Sequence, residues 1–234
     1  MSMSTEFFEQ LSTLQLADSF FPTGMYTTSN GLEVFYYQKL IKKPEEVRNL
    51  IHILLTQQIG PADCVALGNA YDCAKKNDLE KIIEVDYYIF TTKLIKEIRE
   101  ASSRSGTQLI RCLSYFNAEN SMLNKYLQHI NNGAAVGSYP VALAIACNSM
   151  GITKENAALI LLYGFTVSLV GAALRLGLLQ HFESQKIIHE LKPIISNVVK
   201  KYVTRPLKEM WQFSPHMDLI QITHERMDAK MFIT

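Results

Sequence analysis

The chain has 234 residues, of which 48% are hydrophobic and 19% are charged, and its formal net charge is +1. A chain of this length can bury a substantial core and needs no more than one domain. The balance of 23 Lys and Arg against 22 Asp and Glu removes the broad basic field on which nonspecific nucleic-acid binding depends. We therefore expect no nucleic-acid partner. The low charged fraction also predicts a surface poor in charge.

Cysteine usage and the N-terminal residues bear on the cellular compartment. The four cysteines are far apart and form no CxxC pair, which argues against both a disulfide framework and a zinc site. The first ten residues are polar and acidic, whereas a secretory signal is basic and then apolar. These features predict reduced thiols and a cytoplasmic location.

Apolar residues recur at helical spacing along most of the chain, and the alternation typical of strands is nearly absent. This pattern predicts one compact all-α domain over residues 1–234, a bundle-like fold of about ten helices. Pro193 is expected to kink or divide the last long helix. The predicted helices cover residues 6–18, 32–40, 44–59, 62–75, 78–100, 107–116, 120–130, 140–150, 154–179 and 183–202.

The segment 156–174 carries no charged residue and approaches the length of a membrane span. It has no basic flank and contains several small and polar residues, so we interpret it as a buried core helix and keep a membrane helix as the alternative. Gly164, Ser168 and Gly171 form a stripe of small residues on it at helical spacing. The stripe predicts either a tight helix crossing inside the monomer or a homodimer interface.

Common catalytic and cofactor motifs are missing from the sequence. It has no Walker motif, no GxGxxG after a strand, no GxSxG and no HExxH. Its six histidines include no i, i+4 pair that could place two imidazoles on one metal ion. We therefore expect no catalytic residue, no cofactor and no metal site.

An irregular segment over residues 17–33 combines turn-forming residues with Phe20, Phe21, Met25 and Tyr26, side chains that a purely solvated loop would not favour. The segment is therefore expected either to pack on the domain or to contact a partner. Asp18 and Glu33 within it could form a general acid/base pair. The simpler interpretation makes Asp18 a turn acceptor and places Glu33 in the first turn of the next helix. An all-α enzyme acting on a small hydrophobic substrate with these two residues is thus an alternative function.

Several short blocks, in a fixed order over nearly the whole chain, share residues with one known family. They are Leu14-Gln15-Leu16-Ala17-Asp18-Ser19 with Pro22-x-Gly24-x-Tyr26-x-x-Ser29-x-Gly31-Leu32-Glu33, Arg99-Glu100-Ala101-Ser102-x-Arg104-x-Gly106-x-x-Leu109, Gly137-x-Tyr139-Pro140-Val141 with Gly151-Ile152, Ala172-x-x-Arg175-Leu176 with Gln185, and Pro215-x-x-Asp218 with His224-Glu225-x-x-Asp228-Ala229-Lys230-Met231-Phe232. As a set they resemble the urease accessory protein UreF family.

The resemblance implies a non-enzymatic, all-α, homodimeric chaperone of urease maturation. Such a protein would bridge a UreD/UreH-type scaffold and a UreG-type GTPase, would dock on apo-urease and would modulate GTP-dependent nickel delivery. The sequence departs from the family pattern at four positions: Asn30 replaces a usual Gly, Thr28 and Ser138 replace common His residues, and Lys230 replaces a typical Arg. The Lys230 side chain keeps the charge but not the planar fork of Arg.

The apolar C-terminal segment must dock either on its own domain or on another chain. With the resemblance, we prefer docking on the scaffold partner, and we regard residues 1–13 and 212–234 as candidates for flexible ends that a partner orders. The residues predicted to contact partners are Asp18, Pro22, Gly24, Tyr26, Ser29, Gly31, Glu33, Arg99, Ser102, Arg104, Gly106, His224, Glu225, Lys230 and Phe232.

Overall fold

The computed structural model describes residues 3–234, with side chains from residue 7 onward. Ten helices and no β-strand occur in this part of the chain, which confirms the all-α prediction. The helices are α1 (Met3–Ala17), α2 (Leu32–Tyr37), α3 (Pro44–Lys75), α4 (Leu79–Thr92), α5 (Lys96–Phe116), α6 (Ser121–Asn131), α7 (Tyr139–Ser149), α8 (Lys154–Arg175), α9 (His181–Tyr202) and α10 (Pro215–Glu225), with short 3-10 turns at Met25–Thr27 and Leu207–Glu209.

Helix α3 joins two segments that the sequence pattern separated between residues 59 and 62. Its middle, Leu55–Cys64, is a π-helix that accommodates Pro61 without a break. The wider turns leave carbonyl groups free for partners outside the helix: the Pro61 carbonyl accepts from Trp211 N at 3.2 Å, and the Gln57 carbonyl accepts from Phe213 N at 3.2 Å. The π segment therefore fixes the connection that leads into α10. Helix α9 likewise continues across Pro193.

The sequence pattern also misplaced the next helix boundary. The predicted helix 78–100 ends at Thr92, and a new helix begins at Lys96 and runs through the expected gap at 101–106. The chain turns at residues 93–95 because the buried Lys93 ammonium pairs with the buried Asp63 carboxylate at 2.8 Å. The Arg99 guanidinium then donates to the Lys93 and Leu94 carbonyls at 2.7 and 2.8 Å.

The core is built around α7, which packs on α3 and α5, and around α8, which packs on α9. Residues 140–147 of α7 are buried on every side, as expected for a stretch that is apolar all round. Helices α3 and α8 are long and apolar enough to cross a membrane, but 78% and 67% of their most apolar windows are buried inside this fold. Both are core helices here, as predicted for residues 156–174.

A buried carboxylate joins the loop before α7 to the core. Asp86 on α4 accepts from the backbone N–H groups of residues 136–138 at 2.8–2.9 Å and from the Tyr126 hydroxyl at 2.8 Å. Burial, reinforced by the Asp86 charge, raises the pKa of Tyr126 well above its usual value. The same loop presses on Gly106, where a Cβ would lie 2.1 Å from the Gly137 carbonyl oxygen. Only glycine fits at position 106.

The stripe of small residues on α8 does not form a tight crossing inside the chain. A Cβ placed on Gly164 or Gly171 would meet nothing within 4 Å. Both glycines instead line a cavity of about 120 Å³ next to the loop that follows α1. Ser168 is buried and donates to the Met25 carbonyl at 2.6 Å. The interpretation as a helix crossing within the monomer is therefore wrong, and the homodimer interface at this stripe stays a prediction.

The four cysteines are free. Burial raises the pKa of Cys64 to about 12 and that of Cys147 further. Thiols with such values are protonated at neutral pH and chemically inert.

Candidate functional site: the N-terminal loop, helix α5 and the C-terminal tail

We call residues 18–31 the N-terminal loop and residues 212–234 the tail. The structure packs the tail on its own domain, which is the alternative that the sequence left open, and contact of the tail with a partner stays a prediction. Phe232 is only 3% exposed. The backbone N–H groups of Ser29 and Ile233 donate to the carbonyls of Thr234 and Thr27 at 2.8 and 2.9 Å, so loop and tail are joined in both directions.

Glycine is required where α10 approaches the N-terminal loop. Gly31 has φ +88°, and a Cβ on it would lie 3.0 Å from the Cγ2 methyl of Ile220 and 3.3 Å from the Gln221 side chain. The left-handed conformation and the close contact both disfavour any other residue. Gly31 thus lets the tail helix lie directly on the start of α2.

Glu33 holds the end of the tail. It lies in the first turn of α2, as predicted, and its side chain is fully buried. Its Oε1 accepts from Met231 N at 2.7 Å, and its Oε2 accepts from Phe232 N at 3.2 Å. A buried carboxylate needs several donors to offset lost hydration, and the tail backbone supplies two of them.

His224 supplies the third donor and links Glu33 to helix α5. Its Nε2 lies 3.0 Å from Glu33 Oε2, and its Nδ1 lies 2.7 Å from Glu97 Oε2. Because both ring nitrogens face carboxylates, the ring donates on both sides when it is an imidazolium. The Lys230 ammonium donates to Glu97 Oε1 at 2.8 Å and to the Glu225 carbonyl at 3.1 Å. Two carboxylates, one imidazolium and one ammonium then balance each other in charge.

A second set of contacts joins loop and tail through α8. The Arg175 guanidinium stacks between two rings, with Cζ 3.8 Å from the centroid of Tyr26 and 4.6 Å from that of Phe232. It also donates to the Tyr26 carbonyl at 2.6 Å. Partial burial lowers the pKa of Arg175, but a guanidinium remains protonated at neutral pH. A single cation therefore holds both aromatic side chains in place.

Sequence reasoning assigned no site role to Arg175 or Glu97. Arg175 stood in one of the family-like blocks, beside Leu176 at the end of the uncharged helix, and this was the available signal. Glu97 lies outside every block, two residues before Arg99. Its partners are 127 and 133 residues away in sequence, so no local pattern pointed to it.

The structure does not bring Asp18 and Glu33 to a common partner. The Asp18 carboxylate is exposed and accepts from Phe20 N at 2.9 Å, as a turn residue does. Glu33 is occupied by the tail. Within residues 3–234, no group of three or more His, Cys, Asp or Glu side chains is arranged to hold a metal ion.

The predicted contact residues of α5 differ in their surroundings. Arg99 is bound by backbone carbonyls, Ser102 Oγ accepts from Tyr139 N at 3.1 Å, and Gly106 packs on the loop before α7. Arg104 alone among these four is exposed. The other predicted residues divide in the same way: Ser29, Gly31, Glu33, His224 and Phe232 are buried within the chain, whereas Asp18, Pro22, Gly24, Tyr26, Glu225 and Lys230 are exposed.

Comparison with known proteins identifies the chain through most of its length. A family model described as UreF matches residues 41–192. The chain is 32% identical to a urease accessory protein UreF from Trichodesmium erythraeum (strain IMS101), with 98% of this chain and 99% of that protein covered. The chain belongs to the UreF family. A Bacillus sp. (strain TB-90) UreF is 28% identical over 96% of this chain and 98% of its own length.

The UreF match settles the class of function. The relatives named urease accessory protein UreF align over both the N-terminal loop and the tail, which lie outside the range of the family model. The chain is therefore an accessory protein of urease maturation and not an enzyme, and the resemblance seen in the sequence is confirmed.

Two departures from the UreF pattern are accommodated in the structure. Asn30 has φ +51°, a left-handed conformation that asparagine tolerates better than most residues and that explains why glycine is usual there. Lys230 forms its ion pair with Glu97 through a single ammonium group. Ser138 is buried, and its hydroxyl has no hydrogen-bond partner among the described residues.

Proposed function

We propose that this UreF-family protein is a cytoplasmic adaptor that bridges a UreD/UreH-type scaffold and a UreG-type GTPase. The assembled complex docks on apo-urease, and the adaptor modulates GTP-dependent delivery of nickel, which is cargo and not a resident cofactor. The observation that carries the proposal is the meeting of the N-terminal loop, helix α5 and the tail on one face of the domain.

The internal contacts of this face support an adaptor role. Glu33 accepts from backbone N–H groups of the tail, and Arg175 donates to the backbone of the loop. His224 joins Glu33 to Glu97 on helix α5. Tyr26 and Lys230 are thereby held in place at the surface. A surface that is ordered before binding loses little conformational entropy when a partner arrives, which favours affinity.

Co-purification tests the proposal. A tagged chain should retain the UreD/UreH-type and UreG-type proteins of the same organism, and a variant truncated after Gln212 should lose the scaffold. Circular dichroism of the truncated variant should retain most of its helical signal, because α10 contributes only 11 of the helical residues. Undiminished capture of the scaffold by the truncated variant would contradict a role for the tail, and failure of the full chain to capture either protein would contradict the adaptor.

Homodimer formation is part of the proposal. Phe7, Leu11 and Leu14 follow each other at i, i+4 and i+7 on α1 and are 55%, 65% and 67% exposed. An exposed apolar stripe of this kind favours association with a second copy of the chain. Light scattering should give a dimer mass for the wild type and a monomer mass for Leu11→Asp. A monomeric wild type would exclude this part of the proposal.

A further inference from the structure

A cleft of about 650 Å³ separates the N-terminal loop from helix α5. Residues 22–24, 27 and 28 form one wall together with Ile233 of the tail, and residues of α5 between 101 and 111 form the other. The lining contains two arginines, one glutamine and several serine and threonine hydroxyls, and no carboxylate among the described residues. A cleft with donors and positive charge but no acid is complementary to a negatively charged occupant.

The two cations lie on one face of α5. Arg104, Gln108 and Arg111 follow each other at i, i+4 and i+7, and all three are exposed. Arg111 forms no hydrogen bond or ion pair with the side chains that the structure describes. Arg104 has only Glu100, at 3.8 Å, and both side chains are at least half exposed. A distant exposed pair of this kind is weak, so both guanidinium groups are available.

The spacing of the two arginines specifies the occupant. Seven residues of α-helix rise about 10 Å, which equals roughly three residues of an extended chain. We propose that this cleft, the arginine cleft, binds an acidic segment of a protein partner that presents two carboxylates about this far apart. Each guanidinium binds one carboxylate through two parallel hydrogen bonds. The serine and threonine hydroxyls that line the cleft supply further partners for the backbone of the segment.

Other anions fit the cleft less well. A single inorganic phosphate would occupy only a small part of about 650 Å³ and would leave most of the lining hydroxyls without a partner. A nucleic-acid backbone needs many cations in a row, whereas the chain has a net charge of only +1. The partner is one of the urease-maturation proteins named above, so this inference rests on the proposed function.

Charge reversal tests the arginine cleft. The double variant Arg104→Glu/Arg111→Glu should weaken binding of one partner, the scaffold or the GTPase, by about a hundredfold, since each charge-assisted contact contributes about tenfold. The matched control Lys125→Glu/Lys208→Glu makes the same change in net charge at two exposed lysines away from the cleft. It should leave both affinities within about twofold. Biolayer interferometry at low and high salt measures the affinity of each variant for the scaffold and for the GTPase.

Labelled hexaglutamate provides a direct probe that does not depend on the proposed function. It should bind the wild-type chain saturably and should not bind the double variant, while hexaglutamine should bind neither. Displacement by inorganic phosphate at equal charge would show a simple anion site and overturn the peptide inference, as would partner affinities that the double variant leaves unchanged. A wild type that binds hexaglutamate but neither partner would support the cleft and overturn the adaptor function. Unchanged thermal unfolding of the double variant verifies its fold.

Discussion

Two buried carboxylates, Asp86 and Glu33, have the same chemistry in different surroundings. Both side chains are fully buried, and both accept backbone N–H groups from a segment far away in sequence. The donors of Asp86 are amides and a tyrosine hydroxyl, all neutral at physiological pH. Glu33 adds His224, whose ring also faces Glu97. The first carboxylate holds a loop between two helices, whereas the second holds the irregular segment beyond α10.

Their neighbours explain the difference. The loop bound by Asp86 lies between helices α6 and α7, which are both anchored in the core. The residues bound by Glu33, 231 and 232, lie beyond α10 in an irregular segment. Segments with few helical contacts open at lower free energy than the core around them. The tail is therefore expected to open at a lower free energy than the loop before α7, although both are ordered in the folded chain.

The largest expected effect is that of Asp86→Ala. The substitution leaves three backbone amides, two of them buried, and the buried Tyr126 hydroxyl without their acceptor. We expect the free energy of unfolding to fall by about 3–5 kcal/mol. Urea denaturation measures it. Asp72→Ala is the control, because its pair with Lys154 is on the surface, and it should cost no more than about 1 kcal/mol. A similar small loss for both variants would remove the distinction between core and surface carboxylates.

Glu33→Ala should have a smaller effect that is confined to one region. We expect a loss of about 1–3 kcal/mol, because the freed amides reach water when the tail opens. Hydrogen exchange should accelerate at Met231 and Phe232 and stay slow at residues 136–138. Glu45→Ala, an exposed residue of α3, should change neither. Slow exchange at Met231 in the Glu33 variant would show that the carboxylate does not hold the tail.

The helical class of the fold and the positions of most helices could be predicted from the local spacing of apolar residues. Helical periodicity located most of the helices, because most of them bury one apolar face. The break at residues 93–95 and the continuity through Pro61 could not be predicted in this way. The first depends on Asp63, 30 residues before Lys93, and the second on amide groups of residues 211 and 213.

The candidate site shows the same limit. Glu33 and His224 were named separately from the blocks that contain them, but their contact joins positions 191 residues apart. The blocks could not show which residues face inward. Gly106 and Ser102 were expected to meet a partner, yet Gly106 packs on the loop before α7 and the Ser102 hydroxyl accepts from the first residue of α7. The residues shared with the family therefore include buried ones that hold the loop, α5 and the tail together as well as exposed ones that could contact a partner.

Arg175→Lys tests whether the stacked guanidinium, and not only its charge, joins loop and tail. A lysine keeps the charge but cannot stack flat between two rings, so we expect a loss of about 1 kcal/mol in urea denaturation. Arg205→Lys is the matched control, since Arg205 lies over one ring, that of Tyr202, at 5.5 Å. It should cost about half as much or less. Equal effects would mean that the double stacking on Arg175 adds nothing.

The smallest expected effect concerns an exposed carboxylate with the same backbone chemistry. Glu46 accepts from Lys42 N and Lys43 N at 2.7 and 2.9 Å, and these hydrogen bonds lower its pKa below the usual 4.5. A folded-state pKa below the unfolded value means that the stabilisation is present above pH 4.5 and is lost as the pH falls through the folded value. Glu46→Gln should therefore reduce stability slightly at pH 7 and flatten its decline below pH 4.5. Parallel pH profiles of the two proteins in urea denaturation would show that the hydrogen bonds accepted by Glu46 contribute nothing to stability. Backbone hydrogen bonds to a carboxylate would then stabilise this protein only where water is excluded.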